Sequence, residues 1–146
     1  AVPYSAVDSI RAAHKDELVG KVLVDITNPV NFDTFDGLVV PADSSAAAEI
    51  QKKVPEALVV KAFNTTFAGV LAAGKVGDKE PAVVLAASDS EEAKKTLAEA
   101  LEGSGLSVVD AGSLKRAREM EALGFLQISL AAREKISWTG GFAVIH

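Results

Sequence analysis

The segment Leu58-Val-Val-Lys-Ala-Phe63, followed directly by Asn64-Thr65-Thr66, carries most of the fold information in this chain. Its residues are mostly apolar, several are β-branched, and they do not alternate strictly with polar residues. A continuous run of this kind is typical of a strand that is covered on both faces, as in a parallel sheet. Three further runs have the same character, at residues 21–26, 82–87 and 106–110.

Helical segments separate these runs and are predicted over residues 5–18, 46–54, 67–73, 89–102 and 113–136. Asp89 with Glu92 forms a capping-box pattern, and Ser113 is a candidate cap for the last helix. The order of strands and helices predicts an α/β fold, Rossmann-like and doubly wound, with a mainly parallel sheet and right-handed crossovers. Residues 74–81 are predicted to form a surface loop. Residues 138–146 are predicted to dock on the body or on a second subunit.

Composition and charge exclude several classes of protein. The 146 residues are 49% hydrophobic and 24% charged, which predicts one domain with a packed core. No apolar run reaches the roughly 18 residues of a membrane helix, so no membrane partner is expected. The lack of cysteine excludes disulfides and thiolate chemistry, and it fits a cytoplasmic location. A net charge of −5, 5% aromatic residues and two histidines argue against nucleic-acid binding and a histidine-rich metal site.

The segments that follow the strands are the positions to search for a ligand, because open parallel sheets bind ligands beyond the carboxyl ends of their strands. These segments are residues 2–5, 27–31, 64–67, 88–89 and 110–113. Three of them are rich in hydroxyls and amides and poor in charge, which suits a cofactor better than a metal. Asn28 before Pro29 is also typical of a turn. For residues 64–66, a ligand contact and a structural role both remain open.

The chain offers little side-chain chemistry of its own. No Ser/His/Asp set and no pair of carboxylates for general acid and base can be assembled from its sequence. Gly103 and Gly105 begin a Gly-x-Gly pattern, but a strand follows where a phosphate loop requires a helix. This scarcity suits hydride transfer between two bound cofactors, in which the protein positions the reacting rings and excludes water.

Five motifs occur in an order that resembles a known family. They are Ala1-Val-Pro-Tyr4, Lys21-Val-Leu-Val-Asp-Ile-Thr-Asn-Pro29, Ser44-Ser-Ala-Ala-Ala-Glu-Ile50, Val60-Lys-Ala-Phe-Asn-Thr65 and Asp110-Ala-Gly-Ser-Leu114. The pattern resembles the coenzyme F420-dependent NADP oxidoreductases and the related cytoplasmic reductase domain of the STEAP metalloreductases. The resemblance implies an enzyme that transfers hydride between NADPH/NADP and a deazaflavin, coenzyme F420, with no catalytic side chain. Its expected partners are small-molecule cofactors and a second copy of the chain, as a homodimer.

The resemblance also implies cofactor contacts for eight residues. Pro3 and Tyr4 would flank the ribose and adenine side, and Asn28 and Pro29 the nicotinamide ribose. The remaining four would lie near the nicotinamide and deazaflavin rings. The eight residues are Pro3, Tyr4, Asn28, Pro29, Ala62, Asn64, Thr65 and Thr66. Asn64 stands where some members of the family have histidine.

The family begins with a strand, a glycine-rich phosphate loop and a helix that have no counterpart in this sequence. We therefore expect residues 1–146 to be one domain, the C-terminal portion of a dinucleotide-binding domain that lacks its first βαβ passes, about 60 residues. An open hydrophobic sheet edge and weak NADPH binding would follow. Two alternatives remain: a STEAP-like flavin or metal reductase domain, and a non-catalytic dimerising fragment that associates through the last helix and the tail.

Overall fold

A computed structural model describes residues 1–145, so His146 lies outside the described residues. Its strands are β1 (Val22–Asp25), β2 (Leu58–Ala62), β3 (Lys75–Val76), β4 (Glu80–Pro81), β5 (Val83–Ala87) and β6 (Ser107–Gly112). Its α-helices are α1 (Val7–Ala13), α2 (Ala46–Lys53), α3 (Ala68–Ala73), α4 (Glu91–Ala100) and α5 (Ala117–Ala132). Short 3-10 helices lie at Tyr4–Ala6, Lys15–Leu18 and Leu114–Arg116.

Four strands form the main sheet in the order β1-β2-β5-β6. The pairs β1–β2 and β5–β6 are parallel, whereas β2 and β5 are antiparallel. The predicted α/β fold with a mainly parallel sheet is therefore confirmed. The antiparallel pair divides the sheet into two halves, β1–β2 and β5–β6, whose strands end at opposite edges of the sheet. The apolar runs in the sequence did not predict this change of direction.

Helices cover both faces of this sheet. Val59 packs in a cluster with Ile50 of α2, and the next residue, Val60, packs with Leu97 of α4 on the other face. This alternation within β2 explains why both of its faces are apolar. β1 is an outer strand of the sheet, and a cavity of about 410 Å³ lies between it and α1.

The helix ends differ from the sequence prediction in three places. The predicted helix over residues 5–18 is divided into α1 and two 3-10 turns. Helix α4 is capped by Ser90, whose side chain accepts from the Ala93 amide, so the capping box predicted at Asp89 is wrong. Asp89 instead accepts from the Leu114 amide at 3.0 Å. Helix α5 begins after a 3-10 turn without a side-chain cap from Ser113 and ends at Ala132.

The segments predicted as loop and tail have defined places. The predicted loop over residues 74–81 contains the β3–β4 hairpin. The tail packs on the body, where the Trp138 and Phe67 rings lie 4.9 Å apart. The Phe142 amide donates to Gln127 Oε1 of α5 at 3.0 Å. Among the helices within residues 1–145, none combines the length and apolar character required to cross a membrane.

Candidate functional site

The carboxyl ends of β1 and β2 meet at one edge of the sheet because the two strands are parallel. This places Asn28 beside Asn64, although 36 positions separate them in the chain. Asn28 Nδ2 donates to the Asn64 carbonyl at 2.9 Å, and Asn64 Nδ2 donates to Asn28 Oδ1 at 3.0 Å. The two side chains therefore hold each other and tie the ends of the strands together.

Helix α5 closes against this pair. The Met120 carbonyl accepts a second hydrogen bond from Asn64 Nδ2 at 2.9 Å. One turn further, a Cβ added at Gly124 would lie 2.3 Å from Asn28 Oδ1 and 2.9 Å from the Asn64 carbonyl oxygen. Only glycine permits so close an approach of α5 to the asparagine pair.

Two buried polar atoms at this edge have no hydrogen-bond partner within the described residues. They are Thr27 Oγ1 and Asn64 Oδ1, in side chains that belong to residues only 8% and 6% exposed. The orientation of the Asn64 amide is fixed, because a flipped amide would point its oxygen at two other acceptors. A buried polar atom left without a partner costs about 1–3 kcal/mol. Such unmet capacity is typical of a position that a bound ligand or an ordered water completes.

The backbone between β2 and Asn64 has an unusual conformation. Phe63 has a φ of 65°, in the left-handed region that side chains other than glycine rarely adopt. Local strain of this kind is enriched at binding sites, where the surrounding contacts hold it in place. Here it turns the chain sharply at the end of β2 and directly precedes Asn64.

A cleft of about 640 Å³ opens beside the pair, within the size range of small-molecule sites. It brings together four of the eight predicted cofactor contacts: Pro3, Tyr4, Asn28 and Pro29. Thr27 also lines it. Burial raises the pKa of the Tyr4 phenol at the cleft wall. Asn64 lies behind Asn28, linked to it by their reciprocal hydrogen bonds.

The other three predicted contacts are engaged elsewhere. Ala62 is fully buried within the sheet, in the cluster that α4 covers. The Thr65 carbonyl accepts from Gln127 Nε2 at 2.7 Å, and Thr66 Oγ1 donates to the Val83 carbonyl at 3.3 Å. These contacts give the two threonines structural partners around the end of β2.

Two of the five segments predicted at the ligand edge lie at the opposite edge. Because β5 runs antiparallel to β2, its end returns to the start of β2, where Ser88 Oγ donates to the Val59 carbonyl at 2.7 Å. The end of β6 follows β5, since the two are parallel. Residues 88–89 and 110–113, which the sequence placed among the segments to search for a ligand, therefore lie at the opposite edge from Asn28 and Asn64.

A buried ion cluster lies below the asparagine pair, and none of its members was predicted from the sequence as part of a site. Lys61 Nζ lies 2.8 Å from Asp25 Oδ2 and 2.8 Å from Glu121 Oε1. It also donates to the Thr27 carbonyl at 2.6 Å. Glu121 accepts from the Ala46 amide, at the start of α2, at 2.8 Å. Burial raises the pKa of the Glu121 carboxyl, while Lys61 opposes that rise. A lysine inside an otherwise apolar strand was the available signal.

Two curated relatives resemble this chain over most of its length, while no family model matches it. The F420-dependent NADP reductase of Methanocaldococcus jannaschii is 31% identical over 144 residues, which is 96% of this chain and 64% of the relative. The metalloreductase STEAP3 of Rattus norvegicus is 38% identical over 109 residues, 74% of this chain and 21% of the relative. The chain thus spans less than two thirds of either relative.

Solved structures extend the comparison to the whole fold. A structure from Arthrobacter sp. FB24, provisionally assigned as an F420-dependent NADP-reductase, superposes with a TM-score of 0.84 at 28% identity. The superposition covers 100% of this chain and 67% of the Arthrobacter chain. A hypothetical protein of Sinorhizobium meliloti superposes with a TM-score of 0.67 at 30% identity. This superposition covers 78% of our chain and 55% of the Sinorhizobium chain. The resemblance to the F420-dependent NADP reductases that the motifs led us to expect is confirmed.

Proposed function

We propose that this chain holds the nicotinamide end of NADP(H) in an oxidoreductase that transfers hydride between NADPH and a deazaflavin, coenzyme F420, or a similar flavin-type acceptor. The observation that carries the proposal is the pair of unpartnered atoms, Thr27 Oγ1 and Asn64 Oδ1, behind the cleft. The similarity to an F420-dependent NADP reductase and to a metalloreductase also supports reductase chemistry.

The free hydrogen-bonding groups match a carboxamide. Asn64 Oδ1 is an acceptor, and the Thr27 hydroxyl both donates and accepts, whereas a nicotinamide carboxamide carries one acceptor and two donors. When bound, the nicotinamide supplies or accepts the hydride. The residues of this chain bind and orient the ring, and Pro29 and Val30 exclude water from the inner wall of the cleft.

Neutral side chains lining the inner end of the cleft, and Asn64 behind them, fit this role. Thr27, Asn28 and Asn64 hydrogen-bond without fixing a charge, so the electrostatics of the reacting rings are left to the cofactors. Lys53 is the cation at the cleft, and it pairs with Asp8 at 2.6 Å. We propose Lys53 as a contact for the phosphate side of the dinucleotide, because a cation at the rim can bridge to an anionic ligand.

The test follows NADPH oxidation by absorbance after mixing the protein with NADPH and either the deazaflavin or FAD. Turnover is expected, and Asn64→Leu should lower it, since leucine has similar volume and no acceptor. Ser9→Ala, on the exposed face of α1, is the matched control and should leave turnover unchanged. Absence of turnover with both acceptors would contradict the proposal.

A second candidate acceptor follows from the 38% identity to STEAP3, a metalloreductase. In this version FAD, followed by a metal ion, replaces the deazaflavin. The ratio of turnover with the deazaflavin to turnover with FAD separates the two versions, because each predicts a preference for its own acceptor.

We further propose that the protein acts as a cytoplasmic homodimer. Large apolar side chains on α5 and the tail are partly exposed, including Leu126, Trp138 and Phe142. Sedimentation velocity should give twice the monomer mass. A stable dimer that binds no NADPH would favour the alternative of a non-catalytic dimerising fragment.

A further inference from the structure

The buried ion cluster of Lys61, Asp25 and Glu121 has no part in the proposed chemistry, yet it lies directly beneath the proposed nicotinamide site. The Lys61 side chain is 0% exposed, and those of Asp25 and Glu121 are each 1% exposed. The ammonium has three N–H groups and three oxygen partners, the third being the Thr27 carbonyl. Its hydrogen-bonding capacity is therefore fully used inside the protein.

The cluster controls the end of β1. Lys61 Nζ holds the Thr27 carbonyl at 2.6 Å, and Asp25 Oδ1 accepts from the Thr27 amide at 2.9 Å. Both backbone polar groups of Thr27 are thus fixed by members of the cluster. Thr27 carries one of the two unpartnered atoms, and its carbonyl carbon is bonded to the Asn28 nitrogen.

The same cluster controls the position of α5. Glu121 receives Lys61 on one oxygen and the Ala46 amide on the other. Its neighbour Met120 supplies the carbonyl that holds the Asn64 amide. A shift of Glu121 would therefore move the Met120 carbonyl. This carbonyl holds the Asn64 amide in the orientation that leaves Oδ1 free for a ligand.

Stability alone does not explain such a cluster. The desolvation of three charges opposes their attraction, and apolar replacements of similar volume are often neutral or stabilising. The cluster also carries one ammonium for two carboxylates, with the amides at the start of α2 facing the second carboxylate. What it provides is a fixed distance between the ends of β1, β2 and α5.

We propose that Lys61 is a positioning residue for the nicotinamide site, acting through Thr27 on one side and through Glu121 and α5 on the other. This rests on the proposed function, because the site it positions is the one assigned there to the nicotinamide. Lys61 itself touches no ligand. Its role is to hold the Thr27 backbone and, through Glu121 and α5, the Asn64 amide in place, so that Thr27 Oγ1 and Asn64 Oδ1 keep fixed positions.

The test compares Lys61→Met with Lys94→Met. Lys94 is the matched control, because it is also a buried, ion-paired lysine, bonded to both carboxylate oxygens of Asp110 at 2.9 and 2.7 Å, far from the asparagine pair. The probe is nicotinamide mononucleotide, titrated while the side-chain amide signals of Asn28 and Asn64 are followed by nuclear magnetic resonance. Hydrogen exchange of those two amides without ligand is measured as well.

Lys61→Met should raise the Kd for the mononucleotide roughly tenfold or more, since small misplacements at a site have large effects. It should also speed exchange of both side-chain amides. Lys94→Met should change neither quantity, although it also removes a buried lysine from its ion pairs. If Lys61→Met does not fold, Glu121→Gln is used, because the glutamine amide must face either Lys61 or the Ala46 amide, both of which are donors.

The outcomes separate the two proposals. If the unaltered protein shows no response to the mononucleotide, the proposed function fails, and the positioning role falls with it. If the unaltered protein responds and Lys61→Met responds with the same Kd and the same amide exchange, only the positioning role is overturned. Equal loss of affinity in Lys61→Met and Lys94→Met would also overturn it, since that result reports general destabilisation.

Discussion

Replacing Gly124 by alanine tests the contact between α5 and the strand ends most directly. The added Cβ would lie 2.3 Å from Asn28 Oδ1 and 2.9 Å from the Asn64 carbonyl oxygen. Real Cβ atoms do not approach other atoms this closely, so either the Asn28 side chain must leave or α5 must shift. The first movement breaks the reciprocal hydrogen bonds between the two asparagines, and the second breaks the bond from Asn64 Nδ2 to the Met120 carbonyl of α5.

The expected change in stability combines two opposing effects. Alanine inside a helix gains about 1 kcal/mol over glycine. Overpacking costs about 1–3 kcal/mol, a cost that includes the broken hydrogen bonds because their loss is how the overlap is relieved. Gly124→Ala should therefore lower the free energy of unfolding by about 1 kcal/mol, against the direction that helix propensity predicts.

Urea denaturation measures this change, and Ala122→Gly provides the control. Ala122 is exposed on the same helix, so its replacement reports helix propensity alone. The refuting result is a Gly124→Ala protein that is more stable by as much as Ala122→Gly is less stable. With unchanged affinity for nicotinamide mononucleotide as well, that outcome would mean that α5 and the asparagines do not constrain each other.

Three further predictions concern other parts of the fold. Ser90→Ala should lower the free energy of unfolding by about 1 kcal/mol in urea denaturation, whereas Glu92→Ala should change it by less than about 0.5 kcal/mol. Lys94 holds the pKa of Asp110 below its ordinary value of 3.8, so the contribution of this pair is present above that pH and lost as pH falls through the lowered pKa. Asp110→Asn should therefore flatten the acid side of a plot of urea midpoint against pH, and an unchanged slope would contradict the pairing. Gln127→Leu removes two hydrogen bonds of a buried side chain and should cost about 1–3 kcal/mol, with faster proteolysis of the tail as the diagnostic sign.

The sequence predicted the positions of the four main strands because burial on both faces leaves a local signature. It did not predict their directions, since an apolar run has the same appearance in a parallel and an antiparallel pair. The β3–β4 hairpin directly precedes β5, which pairs antiparallel with β2. Because β2 and β5 are antiparallel, two of the five candidate segments lie at the opposite edge of the sheet.

The cap of α4 shows a second limit. Asp89 and Glu92 match the capping box, and Ser90 is also a good cap residue. Local chemistry does not choose between Asp89 and Ser90. The choice is made by the Leu114 amide, 25 positions away, which binds the Asp89 carboxylate and leaves Ser90 to begin the helix.

The candidate site combines both kinds of information. That Asn28 and Asn64 follow strands is local, and the rule for parallel sheets places them at one edge. That Asn64 keeps a free acceptor is not local, because its two amide hydrogens are taken by residues 36 and 56 positions away.

Lys61 illustrates the same division between local and non-local information. Its charge inside an apolar strand is visible in the sequence, but only the fold supplies Asp25 and Glu121 to neutralise it. A charged residue in a covered strand therefore indicates that partners exist, and because those partners come from separate elements, it also marks where the fold fixes distant segments relative to one another.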